Sequence, residues 1–336
     1  MDFNLTEVQQ DFMNLARDFG EKRLAPTIME RDHQGIYDDA LIAELLSLGI
    51  TGAYFEEKYG GAGDDGGDVL SYILAVEELA KYDAGVSITL SATVSLCANP
   101  IWQFGTEEQK EKFLVPLVEG TKLGAFGLTE PNAGTDASGQ QTVAVKNDDG
   151  TYTLNGSKIF ITNGGHADIY IVFAMTDKSK GNHGITAFIL EDGMPGFTYG
   201  KKEDKMGIHT SVTMELVFQD VKVPAENMLG EEGKGFKIAM MTLDGGRIGV
   251  AAQALGIAEA ALADAVEYSK QRVQFGKPLC KFQSVSFKLA DMKMQIEAAR
   301  NLVYKAACLK QEGKPFTVDA AIAKRVASDV ADRKST

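Results

Sequence analysis

The chain has 336 residues, of which 44% are hydrophobic and 24% charged, a balance typical of folded globular proteins rather than disordered ones. This length exceeds one ordinary domain and predicts two or three. The 47 acidic and 34 basic residues give a net charge of −13, which argues against a nucleic-acid or anionic-membrane partner. Any phosphate-binding site is therefore expected to be local.

The three cysteines, Cys97, Cys280 and Cys308, share no metal-binding or redox spacing, and no metal site is predicted. We interpret them as buried structural thiols in a reducing compartment. The N-terminus has acids from its second residue and lacks the pattern of a signal or transit peptide. No apolar run approaches the roughly 20 residues of a membrane span. These features predict a cytoplasmic protein with no membrane partner.

A helical N-terminal domain is predicted over residues 1–122. Thr6 and Gln9 form a capping box ahead of apolar residues spaced by three and four, which marks one buried helix face. Thr106 and Gln109 repeat the capping box before a helix that runs to Val118. Three other helices are predicted: one begins at Asp38 and is closed by Gly49, and two span about 69–81 and 86–104.

Two glycine-rich segments resemble phosphate loops. Gly61–Gly66 fits the dinucleotide pattern G-x-G-x-x-G, but no strand precedes it, and Asp64 and Asp65 would repel a pyrophosphate. Gly230–Gly235 lacks the Lys-Ser/Thr ending of a phosphate loop. We interpret the first as a flexible loop and the second as the hinge into the next helix.

A β domain is predicted over residues 123–230, where the apolar period changes to two. Asp148, Asp149 and Gly150 predict a tight hairpin, and the regular spacing of turns predicts an antiparallel barrel or sandwich. Strands are expected near 142–146, 151–155, 168–175, 185–191 and 214–223.

Helical periodicity returns at Gly233 and predicts a C-terminal bundle over residues 231–336. The turn QRVQFGKPL separates a long Ala-rich helix from a second helix over about 282–310, and a third begins at Thr317. Four helices are the natural completion of such a bundle, yet no fourth follows. The third helix is therefore expected to leave an apolar stripe uncovered, which indicates an intermolecular contact or a chain cut short. Its members are Val318, Ala321, Ile322, Val326, Ala327 and Val330.

Two stretches of the β domain pair an apolar run with hydroxyls and turn formers. They are Ala125–Asp136, AFGLTEPNAGTD, and Gly156–Gly165, GSKIFITNGG. Strands that end this way leave backbone N–H groups and side-chain oxygens free to meet a cofactor. Ordinary hairpin turns use the same residue types, so both interpretations stay open on chemistry alone.

The order of helical domain, β domain and bundle resembles the acyl-CoA dehydrogenase family. TEPNAGTD, ITNGG and QRVQFGKPLCKFQ occur in the family's order, and the likeness covers residues 1 to about 331. It implies an α+β fold with an incomplete C-terminal bundle whose last helix is missing. It also implies a flavoprotein oxidoreductase of fatty acid metabolism with FAD as cofactor.

The resemblance implies FAD contacts from both stretches and from the bundle. Phe160 also fits simple core packing, and Arg272 on its sequence alone fits a solvated charge. Arg272 would bind the pyrophosphate of a neighbouring subunit's FAD, which implies a homo-oligomer, in the family commonly a tetramer. The implied FAD residues are Phe126, Leu128, Thr129, Thr135, Phe160, Ile161, Thr162, Arg272, Phe275 and Gln283.

The implied reaction is α,β-dehydrogenation of a short-chain acyl-CoA, butyryl-CoA to crotonyl-CoA, with electrons passed to electron-transferring flavoprotein. Asp244 and Arg247 would lie along the acyl-CoA channel, and Thr135 near the CoA moiety. Without the family, Arg247 is better explained as a surface residue. Acyl-CoA oxidases are a further alternative, but their chains are generally longer.

The chain departs from the family at the general base. The usual Glu lies in a motif like YEGTNE beyond the third bundle helix, and the chain ends before it. Some relatives place the base just before the bundle Arg, but Gly246 occupies that position. The catalytic residue is therefore unknown, and the alternative is a truncated flavin- or acyl-CoA-binding fragment with impaired catalysis.

Overall fold

The computed structural model describes residues 4–335, and its first part is helical. The Thr6 and Thr106 hydroxyls each accept a hydrogen bond from the backbone N–H three residues later, which confirms both capping boxes. Asp38 caps the Leu41 N–H, as expected for a helix start. The helices are α1 (Glu7–Phe19), α2 (Ile28–Gln34), α3 (Asp39–Leu46), α4 (Val69–Tyr82), α5 (Ala84–Ser91), α6 (Asn99–Phe104), α7 (Glu107–Gln109) and α8 (Val115–Val118). The π-helical turns Ala92–Ala98 and Lys110–Leu114 join α5 to α6 and α7 to α8.

The glycine-rich loop before α4 is closely packed, where a flexible loop was expected. Short 3₁₀ turns cover Glu57–Tyr59 and Gly63–Asp65. A Cβ on Gly61 would lie 2.2 Å from the Phe55 carbonyl oxygen, and one on Gly67 would lie 2.1 Å from that of Ala53. These glycines therefore permit close backbone contact, and no strand precedes them.

Eight strands form one sheet in the middle of the chain, in the order β6-β7-β3-β2-β4-β5-β8, with β1 beside β4. Asn147 and Thr151 close the predicted hairpin between β2 and β3, with Gly150 at φ +85°. The sheet strands are β1 (Gly124–Gly127), β2 (Val143–Lys146), β3 (Tyr152–Thr162), β4 (Ile169–Met175), β5 (Ile185–Glu191), β6 (Phe197–Lys202), β7 (Thr213–Val223) and β8 (Met228–Leu229).

The pairing is not wholly antiparallel as expected. β1 pairs with β4 in parallel, and β2 meets β4 in parallel at one register position. β1 arrives from the helical part of the chain, and the Leu123 carbonyl accepts from the N–H groups of Asp168 and Ile169 at its start. A strand that enters this way is not one arm of a hairpin, so hairpin turns could not predict its direction.

Three helices form the C-terminal part. α9 (Gly235–Gln271) is followed by the short hairpin β9 (Val273–Gln274) and β10 (Lys277–Pro278), then by α10 (Gln283–Gln311) and α11 (Thr317–Ser335). The buried side of α11 comprises Ala320, Ala323, Ala327 and Val330, so the predicted stripe is only partly uncovered. Val318 and Ile322 are exposed, by 70% and 44%.

The three cysteines differ in exposure, which corrects the expectation that all are buried. Cys97 is buried, and burial raises the pKa of its thiol to about 12. Cys280 is partly exposed and Cys308 is exposed.

Two helical segments, Ala84–Phe104 and Gly235–Gln271, are long and apolar enough to cross a membrane by length and composition alone. The expectation that no run approaches such a span is therefore corrected. In the first segment, 83% of the most apolar window is buried inside the protein, as in the core helix of a globular domain.

Candidate functional site

A cavity of about 440 Å³ lies where the ends of β1 and β3 face α9. Seven predicted FAD residues line it: Phe126, Leu128, Thr129, Thr135, Phe160, Ile161 and Thr162. α9 contributes Phe236, Met240, Leu243 and Arg247 to the opposite side. The two stretches that are remote in sequence thus meet at one cavity, because β1 and the last part of β3 lie side by side in opposite directions: Ile159 bonds to Thr129 after the end of β1, and Asn163 bonds to Gly124 at its start.

The segment after β1 is held in a fixed shape by backbone hydrogen bonds. Glu130 and Ala133 bond to each other in both directions, and the Thr129 carbonyl accepts from the Ile159 N–H at 2.8 Å. The last bond joins the segment to β3. Thr129 is partly exposed and Thr135 exposed, so both can meet a ligand.

A buried ion pair supports the segment that follows β1. The fully buried Lys158 ammonium donates to Glu130 Oε1 at 2.7 Å, to Gln140 Oε1 at 2.9 Å and to the Leu128 carbonyl at 3.2 Å. Burial disfavours ionisation of Glu130, but the nearby Lys158 ammonium and hydrogen bonds from Gln141 and Thr142 outweigh it and lower the pKa of the carboxyl. The pair is therefore charged and fixes the position of the Leu128 carbonyl.

The end of β3 has an unusual backbone. Phe160 has φ +60° and is 59% exposed, so it is not core packing. A positive φ is strained for a residue with a bulky side chain and is found most often at functional sites. Asn163, also at positive φ, is fully buried, and its amide N–H₂ donates to the carbonyls of Gly124 at 2.9 Å and Thr89 at 3.1 Å. Asn163 thereby joins this strand end to β1 and α5.

The two predicted channel residues, Asp244 and Arg247, both lie on α9 but differ in their position relative to the cavity. Arg247 lines the cavity and donates a hydrogen bond to Asp244. Asp244 is not among the lining residues, and its other oxygen accepts from the Thr317 hydroxyl at 2.7 Å. Asp244 therefore orients Arg247 and connects it to the start of α11.

A smaller cavity of about 190 Å³ adjoins the first. Leu96, Leu243 and Gly246 line it together with the hydroxyl residues Ser91 and Ser95. A Cβ on Gly246 would lie 2.7 Å from Leu96 Cδ2, the end of a flexible side chain. Its size and largely apolar wall suit a short aliphatic chain.

Three predicted FAD residues lie away from the cavity. Arg272, Phe275 and Gln283 are on the β9–β10 hairpin and at the start of α10, and all are exposed. Phe275 is 93% exposed at φ +50°, which presents its ring to solvent at the hairpin tip. Within one chain these residues do not contribute to the cavity, and their role across subunits stays a prediction.

Comparisons with known proteins agree over the whole chain. Profiles described as the acyl-CoA dehydrogenase N-terminal, middle and C-terminal domains match residues 6–121, 125–221 and 233–334. A short-chain-specific acyl-CoA dehydrogenase of Megasphaera elsdenii is 93% identical over 100% of this chain and 88% of that protein. The predicted domain boundaries after residues 122 and 230 stay predictions.

Solved structures give the same result. The structure of butyryl-CoA dehydrogenase from Megasphaera elsdenii is 93% identical with a TM-score of 0.99, covering 99% of this chain and 87% of that one. A chain from a study of the electron transferring flavoprotein of Acidaminococcus fermentans is 66% identical with a TM-score of 0.96, covering 98% and 86%. All 336 residues of this chain are matched by the Megasphaera protein, the chain spans 88% of that protein's length, and these comparisons do not favour an impaired fragment.

Proposed function

The chain belongs to the acyl-CoA dehydrogenase family, a family of flavoprotein oxidoreductases, and on that premise we propose that it oxidises short-chain acyl-CoA thioesters to their α,β-unsaturated products. Butyryl-CoA is the proposed substrate and electron-transferring flavoprotein the proposed acceptor. The observation that carries the proposal is the meeting of both polar strand ends and Arg247 at one cavity beside a small apolar one.

The cavity has the chemistry that a flavin ring requires. Members of the family depend on FAD. Leu128, Phe160 and Ile161 supply apolar surface. Among the described residues, no hydrogen bond occupies the hydroxyls of Thr129 or Thr162, which leaves both free for the polar edge of a ring. These side chains would hold the ring, and FAD when bound supplies the acceptor for the β-hydride.

The chain's own residues contribute position and apolar surface. The Lys158–Glu130 pair and the Asn163 amide fix the two strand ends, so the Thr129 and Thr162 hydroxyls are held without reorganisation. Leu96 and Leu243 give the small cavity apolar surface, against which the acyl chain would lie. Arg247, oriented by Asp244, stands at the junction of the two cavities and suits a thioester or phosphate oxygen.

The acceptor of the α-proton is not assigned to a residue. Among the described residues that line the larger cavity, Asp136 is the one carboxylate. It is exposed and accepts from the Ser138 backbone N–H and hydroxyl, so it faces the rim rather than the junction of the cavities. Gly246, at the position used by some relatives, carries no acid.

The exposed apolar surface supports a homo-oligomer, as is usual in the family. Phe275, Phe287, Met294 and Val318 are each more than 60% exposed on the C-terminal helices and hairpin. Exposed apolar side chains are the surface that an interface between subunits would bury. A tetramer in which Arg272 and Phe275 reach a neighbour's FAD would cover part of this surface. A cytoplasmic location is proposed on the three free cysteines.

Product analysis tests this function. Purified protein reconstituted with FAD is incubated with butyryl-CoA and electron-transferring flavoprotein, and crotonyl-CoA is quantified by chromatography. Crotonyl-CoA formed in a 1:1 ratio with acceptor reduction supports the proposal, since each dehydrogenation releases one electron pair. Peroxide formation from oxygen without acceptor reduction would instead identify an oxidase. No product at all would refute both.

A further inference from the structure

A third cavity, of about 470 Å³, lies between the end of α10 and the glycine-rich loop, away from the residues proposed to bind flavin and acyl chain. Lys310, in the last turn of α10, lines this cavity. Its ammonium lies 5.2 Å from the centre of the Tyr54 ring and 3.1 Å from where a Cβ on Gly245 would stand. Among the described residues, no carboxylate lies within 4 Å of the ammonium and no hydrogen bond engages it.

Such an ammonium is costly for the folded protein. Desolvation lowers the pKa of Lys310 to about 8, with no neighbouring acid to oppose it. Lys310 is partly buried, and a charge that loses hydration without an ion-pair partner is unfavourable. An uncompensated cation that lines a cavity therefore indicates a site for an anion.

Tyr54 gives a second, independent indication. It is 6% exposed and lines the same cavity, and its hydroxyl is buried without a hydrogen-bond partner among the described residues. A buried hydroxyl left unpaired costs free energy comparable to a lost hydrogen bond. An oxyanion could accept hydrogen bonds from Tyr54 and Lys310 together.

The other charges around the cavity define the charge of the ligand. Glu56 accepts from the Trp102 indole N–H at 2.6 Å, Asp64 accepts from a backbone N–H at 2.8 Å, and Lys314 pairs with Glu312 at 2.5 Å. Among the described residues, neither carboxylate has a cation within ion-pair distance, and Lys310 is the one lining cation without an ion-pair partner. A dianion would place its second charge near Glu56 and Asp64, so a ligand with a single negative charge is favoured.

We propose that this cavity binds a small monocarboxylate, with its carboxylate on Lys310 and Tyr54 and its apolar body against Trp102 and Phe316. Neither aromatic residue lines the larger flavin cavity. The site is separate from the proposed active site and does not depend on the proposed function. Occupancy would compensate the Lys310 charge and so stabilise the junction between α10 and the N-terminal helices.

Trp102 is the only tryptophan of the chain, so its fluorescence reports on this cavity directly. The probe is sodium butyrate, titrated into the purified protein at constant ionic strength, with butyramide as the neutral isostere. We expect a saturable change in emission with butyrate and none with butyramide. Equal responses to both probes, or no response to butyrate, would overturn the proposal.

Variants locate the response. Lys310→Met is expected to weaken butyrate binding about 10- to 100-fold, as for loss of a charged hydrogen bond, and Tyr54→Phe less, about 3- to 10-fold. Lys314→Met is the matched control, since that lysine lines the same cavity but is already paired, and should bind as the wild type does. Thermal unfolding verifies folding, and butyrate should raise the Tm of the wild type and of Lys314→Met more than that of Lys310→Met. Binding that is the same in Lys310→Met as in Lys314→Met would contradict the site.

Discussion

The Lys158–Glu130 pair makes the strand ends proposed to bind flavin sensitive to one substitution, Lys158→Met, which keeps most of the side-chain length and removes the charge. The wild-type ammonium donates to Glu130, Gln140 and the Leu128 carbonyl at 2.7 to 3.2 Å. Methionine leaves the Glu130 carboxylate, 3% exposed, without its cation. Removing one partner of a buried pair costs about 3–5 kcal/mol, and we expect a loss of this order.

The assay has two readouts, urea unfolding of the FAD-loaded protein and the Kd for FAD. Lys158→Met should lower the midpoint of the transition that releases flavin and raise the Kd, because the Leu128 carbonyl loses its anchor. The double variant with Glu130→Gln should recover part of the loss, since a neutral amide needs no counter-ion.

Lys222→Met is the matched control for this experiment. Lys222 also pairs with an acid at 2.7 Å, but its side chain is 62% exposed, and exposed pairs contribute little. We expect its midpoint and FAD affinity to match the wild type. If Lys158→Met behaved like Lys222→Met, the buried pair would not support the strand ends and the reasoning would be refuted.

Three further predictions concern the base, acid stability and the subunit contact. Gly246→Glu should turn over butyryl-CoA faster than Gly246→Gln by about 10²-fold or more, because a carboxylate there adds a general base; equal rates would show that position 246 does not face the α-carbon. The pKa of Glu130 is lowered in the folded protein, so its carboxylate stabilises the fold at pH values above the usual carboxyl pKa of 4.5, and this contribution is lost as the pH falls below that value. The unfolding midpoint of the wild type should therefore approach that of Glu130→Gln in acid. A constant difference between the two midpoints would contradict an ionised Glu130. Arg272→Ala should weaken FAD binding about 10- to 100-fold, as expected for a charged hydrogen bond, whereas Lys277→Ala on the same hairpin should not; equal effects would argue against a pyrophosphate contact.

Local signals predicted the helical parts of the fold well. Capping boxes at Thr6 and Thr106 are complete within four residues of sequence, so tertiary context is not needed to recognise them. The hairpin at Gly150 is equally local. The direction of β1 was not predictable, because it depends on which distant strand it meets, and β4 begins more than forty residues later.

The sequence predicted residues that line the cavity and not the residues that support them. Hydroxyls and turn formers at strand ends have a local signature, which marked the two stretches that contain Thr129 and Thr162, and their contact with FAD stays a prediction. Lys158 reads in sequence as an ordinary charged residue of a strand, and only the fold shows that it is fully buried opposite Glu130. Asn163 had a signal in the ITNGG turn, but its hydrogen bonds reach Gly124 and Thr89, which no spacing rule connects.

Anaerobic titration of the FAD-loaded protein with butyryl-CoA tests the central claim most directly. The account predicts loss of the oxidised flavin absorbance with a stoichiometry of one butyryl-CoA per flavin. CoA alone, which carries no acyl chain, should cause no such loss. It also predicts slower bleaching in Thr162→Val, which keeps the shape of the side chain and removes the hydroxyl. A flavin that binds but stays oxidised with excess butyryl-CoA would contradict the account.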